Sequence, residues 1–123
     1  MRGVSFWFLL TAAIAVTVGM VWGIHMSATT DHSLAPAHAH LNLIGGVLMA
    51  IAGLYYHSVP EAAKTRLALY HFVVATVGIL LIVPGIALAI SEVTEALAIV
   101  GSLIVVLGML MFLTVVLRSR ATA

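Results

Sequence analysis

Histidines and an aspartate are concentrated in one short stretch, residues 31–46, which reads DHSLAPAHAHLNLIGG. It contains Asp31, His32, His38 and His40, and it continues directly into an apolar segment. Neutral imidazole is the commonest protein ligand for transition metals, and it also ligates heme iron. This stretch is therefore the leading candidate for a metal or cofactor site.

The spacing of His38 and His40 limits the kind of site they can form. Residues i and i+2 of a helix point about 200° apart, so one helix sends the two imidazoles in nearly opposite directions. The two imidazoles of one helix therefore cannot bind the same metal ion. The spacing therefore favours two separate cofactor sites, one on each side of the helix, with His38 and His40 as the candidate ligands. A purely structural role for the pair is the alternative.

The residues that follow on the two faces differ in bulk. Gly45, Met49 and Ala52 lie below His38 at about one-turn intervals, whereas branched apolar residues lie below His40. A face of small residues and a face of branched apolar residues could together hold a flat macrocycle between them. Gly45, Met49 and Ala52 are therefore the candidate heme-contact face, although ordinary helix packing would produce the same stripes.

A second group of candidate ligands lies just before this helix. His25, Asp31 and His32 are the residue types that bind copper or zinc, and the absence of cysteine excludes thiolate-held metals. They form a candidate outer-surface metal site. For the remaining two histidines the pattern favours structural roles, at the membrane interface for His57 and in hydrogen-bonded packing for His71.

The composition is that of an integral membrane protein. Hydrophobic residues make up 63% of the 123 residues and charged residues 7%, and the mean hydropathy is +1.24. A soluble domain needs far more polar surface. Four apolar runs, at about 4–26, 37–59, 67–90 and 94–117, are each long enough to cross a bilayer as a helix. The sequence predicts an all-α membrane protein with one four-helix domain over residues 1–123, surrounded by membrane lipid.

The charges of the connections predict the orientation. Acidic residues mark the first and third connections, and basic residues mark the N-terminus, the second connection and the C-terminus. The basic set is Arg2, Lys64, Arg66, Arg118 and Arg120. By the positive-inside rule, both termini are expected in the cytoplasm. The net charge of +1 gives no indication of nucleic-acid binding.

The stretch DHSLAPAHAHLNLIGGVLMAIAGLYYHSVP resembles the tenth transmembrane helix of heme-copper oxidase subunit I with its preceding loop. Ala37-His38-Ala39-His40 is similar to the family's Ala-His-Phe-His, whose two histidines ligate different hemes. Asp31 stands where the family has an aspartate of an outer magnesium site. Residues 40–43 and 55–62 also resemble the heme b helix of nitric oxide reductase and cbb-type subunits, which again implies a heme ligand at His40.

The resemblance extends into the third span and then ends. Tyr70-His71-Phe72 and the later Pro84-Gly85 are similar to the family's eleventh helix. No His-Pro-Glu-x-Tyr sequence or His-His pair is present to hold the family's copper. The resemblance therefore implies an oxidase-related protein without a recognisable copper site, and whether it is an enzyme stays open.

The family's architecture implies an assembly. Subunit I has twelve helices in three four-helix arcs, so four spans are one third of that plan and three copies would rebuild it. The resemblance implies a homotrimer, with a dimer as the runner-up, in the bacterial inner membrane. It implies a heme-b cytochrome that transfers electrons or binds heme, with a redox protein or quinol as partner. A histidine-based copper or zinc protein and an accessory respiratory subunit are the alternatives.

Overall fold

The computed structural model describes residues 1–120, which form four long helices joined by short connections. The long helices are α1 (Gly3–Thr29), α2 (Ala35–Ser58), α4 (Arg66–Ile90) and α5 (Ala96–Ser119), and α3 (Pro60–Ala63) is a single turn. Each long helix has the length and apolar composition needed to cross a membrane. The all-α membrane fold is therefore confirmed, and every predicted span agrees with its helix to within three residues at either end.

The up-and-down path of the helices places all five basic residues on one side and three of the four acidic residues on the other. The beginnings of α1 and α4 and the ends of α2 and α5 lie together, and we call this side the basic end. It carries Arg2, Lys64, Arg66, Arg118 and Arg120. The opposite side, called the acidic end, carries Asp31, Glu92 and Glu95 in the α1–α2 and α4–α5 connections.

Helix α2 departs from regular α-helical geometry in its first half. Pro36 lies in its first turn, where a missing backbone N–H costs nothing. Residues Leu41–Leu48 then form a π-helical stretch. The Asn42 side-chain amide donates to the His38 backbone carbonyl at 2.9 Å, so a side chain occupies the hydrogen-bond ladder where the π-helix begins. Such stretches occur frequently at functional sites.

The two helix pairs, α1 with α2 and α4 with α5, pack through glycines. A Cβ atom added to Gly85 would lie 2.6 Å from the Ala98 backbone nitrogen, and one added to Gly101 would lie 2.7 Å from the Ile82 backbone nitrogen. At Gly53 the corresponding distance to the Leu9 backbone nitrogen is 3.0 Å. The backbones of paired helices therefore touch, as small residues allow in lipid.

An aromatic cluster joins the two pairs toward the basic end. Phe8 of α1 and Tyr56 of α2 are fully buried and stack with ring centroids 5.4 Å apart. His71 of α4 lies between Phe8 and Phe112 of α5, at centroid distances of 4.7 and 5.2 Å. Each of the four long helices thus contributes at least one ring, and the cluster is the centre of the core.

The outer surface of the bundle is apolar all round. Leucines, isoleucines and valines are exposed along all four long helices, including Ile24, Leu80 and Leu103, each about two-thirds exposed. A helix that is apolar on every side suits hydrocarbon and not water. The exposed surface therefore agrees with the predicted membrane environment.

Because α4 and α5 touch at Gly85, Gly85→Ala should destabilise the bundle. The new methyl group would overlap the Ala98 backbone, which cannot move away as a flexible side chain can. We expect a loss of about 1–3 kcal/mol in the free energy of unfolding, measured by denaturant titration in detergent. The matched control is Gly108→Ala, whose methyl group would be in ordinary contact at 3.5 Å. Equal stability of the two variants would contradict this account of the helix pair.

Candidate functional site

His38 is held against α1 inside its own chain. Its Nε2 atom lies 2.9 Å from the Gly19 backbone oxygen, and its ring meets the Trp22 indole edge to face at a centroid distance of 5.7 Å. The small size of Gly19 and Gly23 makes room for this contact, since a Cβ on Gly23 would lie 3.3 Å from Nε2. The half-buried imidazole is therefore anchored and does not turn freely.

The hydrogen bond to Gly19 fixes the tautomer of His38. A carbonyl oxygen only accepts, so Nε2 must carry the proton and donate it. The Asn42 amide nitrogen lies 3.3 Å from the same ring atom, but its shorter bond goes to the His38 backbone oxygen. The unprotonated nitrogen of His38 is then Nδ1, and this atom carries the lone pair available to a ligand.

His40 has the complementary arrangement on the other side of α2. Its Nδ1 atom lies 2.7 Å from the Pro36 backbone oxygen, so Nδ1 donates and Nε2 keeps the lone pair. A histidine whose Nδ1–H is held by a carbonyl is the usual arrangement for ligation through Nε2. The side chain is half-buried at the helix surface, with exposed Leu43 and Val47 further along the helix.

The imidazoles of His38 and His40 therefore contact different neighbours. His38 points to α1, and His40 folds back onto the first turn of its own helix. This agrees with the opposite directions expected from their spacing.

The predicted heme-contact face is covered by the chain's own helices. Gly45 faces Ala15 of α1 and Ile79 of α4, because a Cβ added to Gly45 would lie 3.0 and 3.5 Å from their side chains. Met49 and Ala52 are 2% exposed and line a narrow pocket of about 50 Å³ between α2, α4 and α5. In this structure the face therefore packs against protein.

The predicted outer-surface metal ligands are only partly brought together. His25 and Asp31 line one surface pocket of about 100 Å³ at the acidic end, and His32 is not part of its wall. In the part of the chain that the structure describes, no three His, Cys, Asp or Glu side chains are grouped to hold a metal ion. The pocket thus offers two candidate ligands.

The surroundings of Asp31 in this pocket favour the ionised form of its carboxyl group. Hydrogen bonds from the Ser33 side chain and backbone N–H lower the pKa of the carboxyl group, and nearby His32 and His25 lower it further. A lowered pKa means that the carboxylate keeps its negative charge to lower pH than a free aspartate. Near neutral pH the pocket therefore presents an anion beside the imidazole of His25.

The buried contact of His71 identifies a polar pair that the sequence did not reveal. The Tyr56 hydroxyl and His71 Nδ1 are 2.9 Å apart within the aromatic cluster. The hydrogen-bonded packing role expected for His71 is therefore confirmed, but its partner on α2 was not foreseen. His57, expected at the interface, is exposed at the basic end. Asn42, which contacts His38, was also missed, although its i+4 spacing is a usable signal.

The chain was compared with models of known protein families, with curated proteins and with solved structures, and none of these comparisons gave a match.

The Tyr56–His71 bond should contribute measurably to stability. Tyr56→Phe keeps the ring but removes the hydroxyl, leaving His71 Nδ1 without its partner in the core. We expect a loss of about 1–2 kcal/mol in the free energy of unfolding. Tyr70→Phe, which removes a hydroxyl from an exposed tyrosine, is the control and should change little. A Tyr56→Phe protein as stable as this control would show that the bond carries no net stabilisation.

Proposed function

We propose that this protein is a small membrane cytochrome that binds heme b at the acidic end, with His40 as an axial ligand. The observation that carries the proposal is the bond between His40 Nδ1 and the Pro36 carbonyl at 2.7 Å. This bond orients the ring and leaves Nε2 as the ligating atom at the surface of a membrane helix. Bound heme b would supply one-electron redox chemistry.

The surroundings of His40 fit a macrocycle better than the face below His38 does. Leu43, Val47 and Ile51 are each about half exposed on the outer side of α2. These apolar side chains suit the flat hydrocarbon surface of a porphyrin, and about half of each is exposed outside the bundle. The heme therefore lies between copies in this proposal, and not inside one four-helix unit.

A second axial ligand comes from another copy of the chain. In the homotrimer implied by the oxidase resemblance, each heme takes His40 from one protomer and His38 from the next. His38 must then release the Gly19 carbonyl so that its ring can turn outward. The intact His38–Gly19 bond favours the runner-up, a dimer in which two His40 side chains share one heme. Both arrangements are low-spin and tie the protomers together.

The charges support a location and a kind of partner. The basic end faces the cytoplasm of a bacterial inner membrane, and the acidic end with the heme faces outward. A heme near the outer surface exchanges electrons with a redox protein or with a quinol. The Nδ1 atom of His40 is held by the Pro36 backbone carbonyl, which would keep a ligating imidazole oriented.

Single substitutions distinguish the proposed arrangements. His40→Ala should abolish the sharp reduced bands of a low-spin heme b, leaving either no heme or a high-spin heme that binds carbon monoxide. In the trimer His38→Ala has the same effect, whereas in the dimer it leaves the spectrum intact. The control is His57→Ala, which removes an exposed histidine at the opposite end. An unchanged spectrum in the His40→Ala protein would contradict the proposal.

The pocket formed by His25 and Asp31 favours a second candidate function, the binding of copper or zinc. An imidazole and an ionised carboxylate in one wall suit either ion, and a second copy would be needed to complete the coordination. Under this alternative the purified protein holds a stoichiometric metal other than iron and shows no Soret band. His25→Ala with Asp31→Asn should then remove the metal, and His32→Ala, outside the pocket, should not. A protein that contains heme but neither copper nor zinc would reject it.

A further inference from the structure

The largest cavity described at the basic end lies beside the beginning of α1. It has a volume of about 470 Å³ and opens to the surface where α1, the end of α2 and α3 meet. Its wall contains Arg2, Val4, Ser5, Tyr56, His57, Pro60, Ala63 and Lys64. The cavity is separate from the site of His38 and His40, which lies at the acidic end of the bundle.

The charged groups of this cavity are cationic. Arg2 and Lys64 are in its wall, and no aspartate or glutamate is. Lys64 pairs with Glu61 at 2.8 Å, but both side chains are about 70% exposed, so the pair is weak. Among residues 1–120 this is the one ion pair, and Arg2 therefore has no carboxylate beside it.

The backbone adds to the positive potential. Helix α1 begins in the cavity wall, and its first turn contains no acidic residue that would neutralise the helix dipole. The Ser5 hydroxyl donates to the Arg2 backbone oxygen at 2.8 Å and leaves the first N–H groups of α1 without a side-chain cap. The cavity therefore presents fixed positive charge from two side chains and one helix end.

Much of the rest of the wall is apolar, and the cavity lies at one end of the four membrane-spanning helices. Val4, Pro60 and Ala63 provide hydrocarbon surface beside the cations. A lipid at this depth places its phosphate beside the cations and its glycerol and upper acyl chain along such surface. A zwitterionic lipid would also bring its ammonium group toward Arg2 and Lys64. An anionic headgroup carries no such group, so it fits the cavity better.

We infer that the cavity lined by Arg2 and Lys64 binds the phosphate of an anionic phospholipid headgroup. Phosphatidylglycerol is the probe. Each cation is expected to raise the affinity about fivefold, so Arg2→Gln with Lys64→Gln should weaken binding about 25-fold. Both side chains are exposed, so the double variant should fold, and its helix content is checked by circular dichroism.

The experiment uses the full chain in phosphatidylcholine nanodiscs with increasing phosphatidylglycerol, and counts retained lipids by native mass spectrometry. The control is Arg66→Gln with Arg120→Gln, which removes two charges from the same end but outside the cavity wall. Retention of one phosphatidylglycerol by the wild type and the control, and its loss from the cavity variant, is the expected result.

Three outcomes would overturn the inference. Equal loss in both double variants would mean that surface charge alone attracts the lipid. Equal retention of phosphatidylcholine by the wild type would mean that the headgroup charge is not recognised. Stabilisation of the detergent-solubilised wild type by inorganic phosphate, with no further effect of phosphatidylglycerol, would assign the cavity to free phosphate.

Discussion

Apolar side chains gain nothing by leaving lipid for the interior of a helical bundle, and this constraint shapes the whole molecule. Helices that are apolar all round must be held by close packing and by hydrogen bonds between them. In this protein the close packing occurs at glycines such as Gly85 and Gly53, where backbones touch. Hydrogen bonds occur where α2 meets its neighbours, at His38 with Gly19, at Tyr55 with Ser119 and at Tyr56 with His71.

The same constraint explains why the candidate site lies where it does. Gly19 and Gly23 bring α1 close enough for the His38 ring to reach a backbone oxygen, and Asn42 fills the remaining space beside Gly19. His40 lies on the other side of α2, where Leu43, Val47 and Ile51 are each about half exposed. One histidine therefore contributes to the stability of the bundle, and the other is left at a surface where a second copy and a cofactor would meet.

The spans were predictable because hydropathy and length are properties of the sequence alone, and the ends of each helix agree closely. The opposite directions of His38 and His40 followed from helical spacing. The π-helical stretch was not predictable from spacing, and it begins where the Asn42 side chain bonds to the His38 carbonyl. The sequence also did not show that α1 and α4 cover Gly45, because a stripe of small residues can pack against a helix as well as against a heme. Periodicity identifies a face, but only tertiary structure identifies what covers it.

The most direct measurement for the central claim is an optical spectrum of the wild-type protein combined with native mass spectrometry of the same sample. Protein purified in mild detergent from heme-replete cells is recorded oxidised and dithionite-reduced, and its oligomer mass is then determined. The account predicts sharp reduced bands of a six-coordinate heme b and a mass that fits two or three chains with heme bound between them. A colourless monomer from those cells would contradict it.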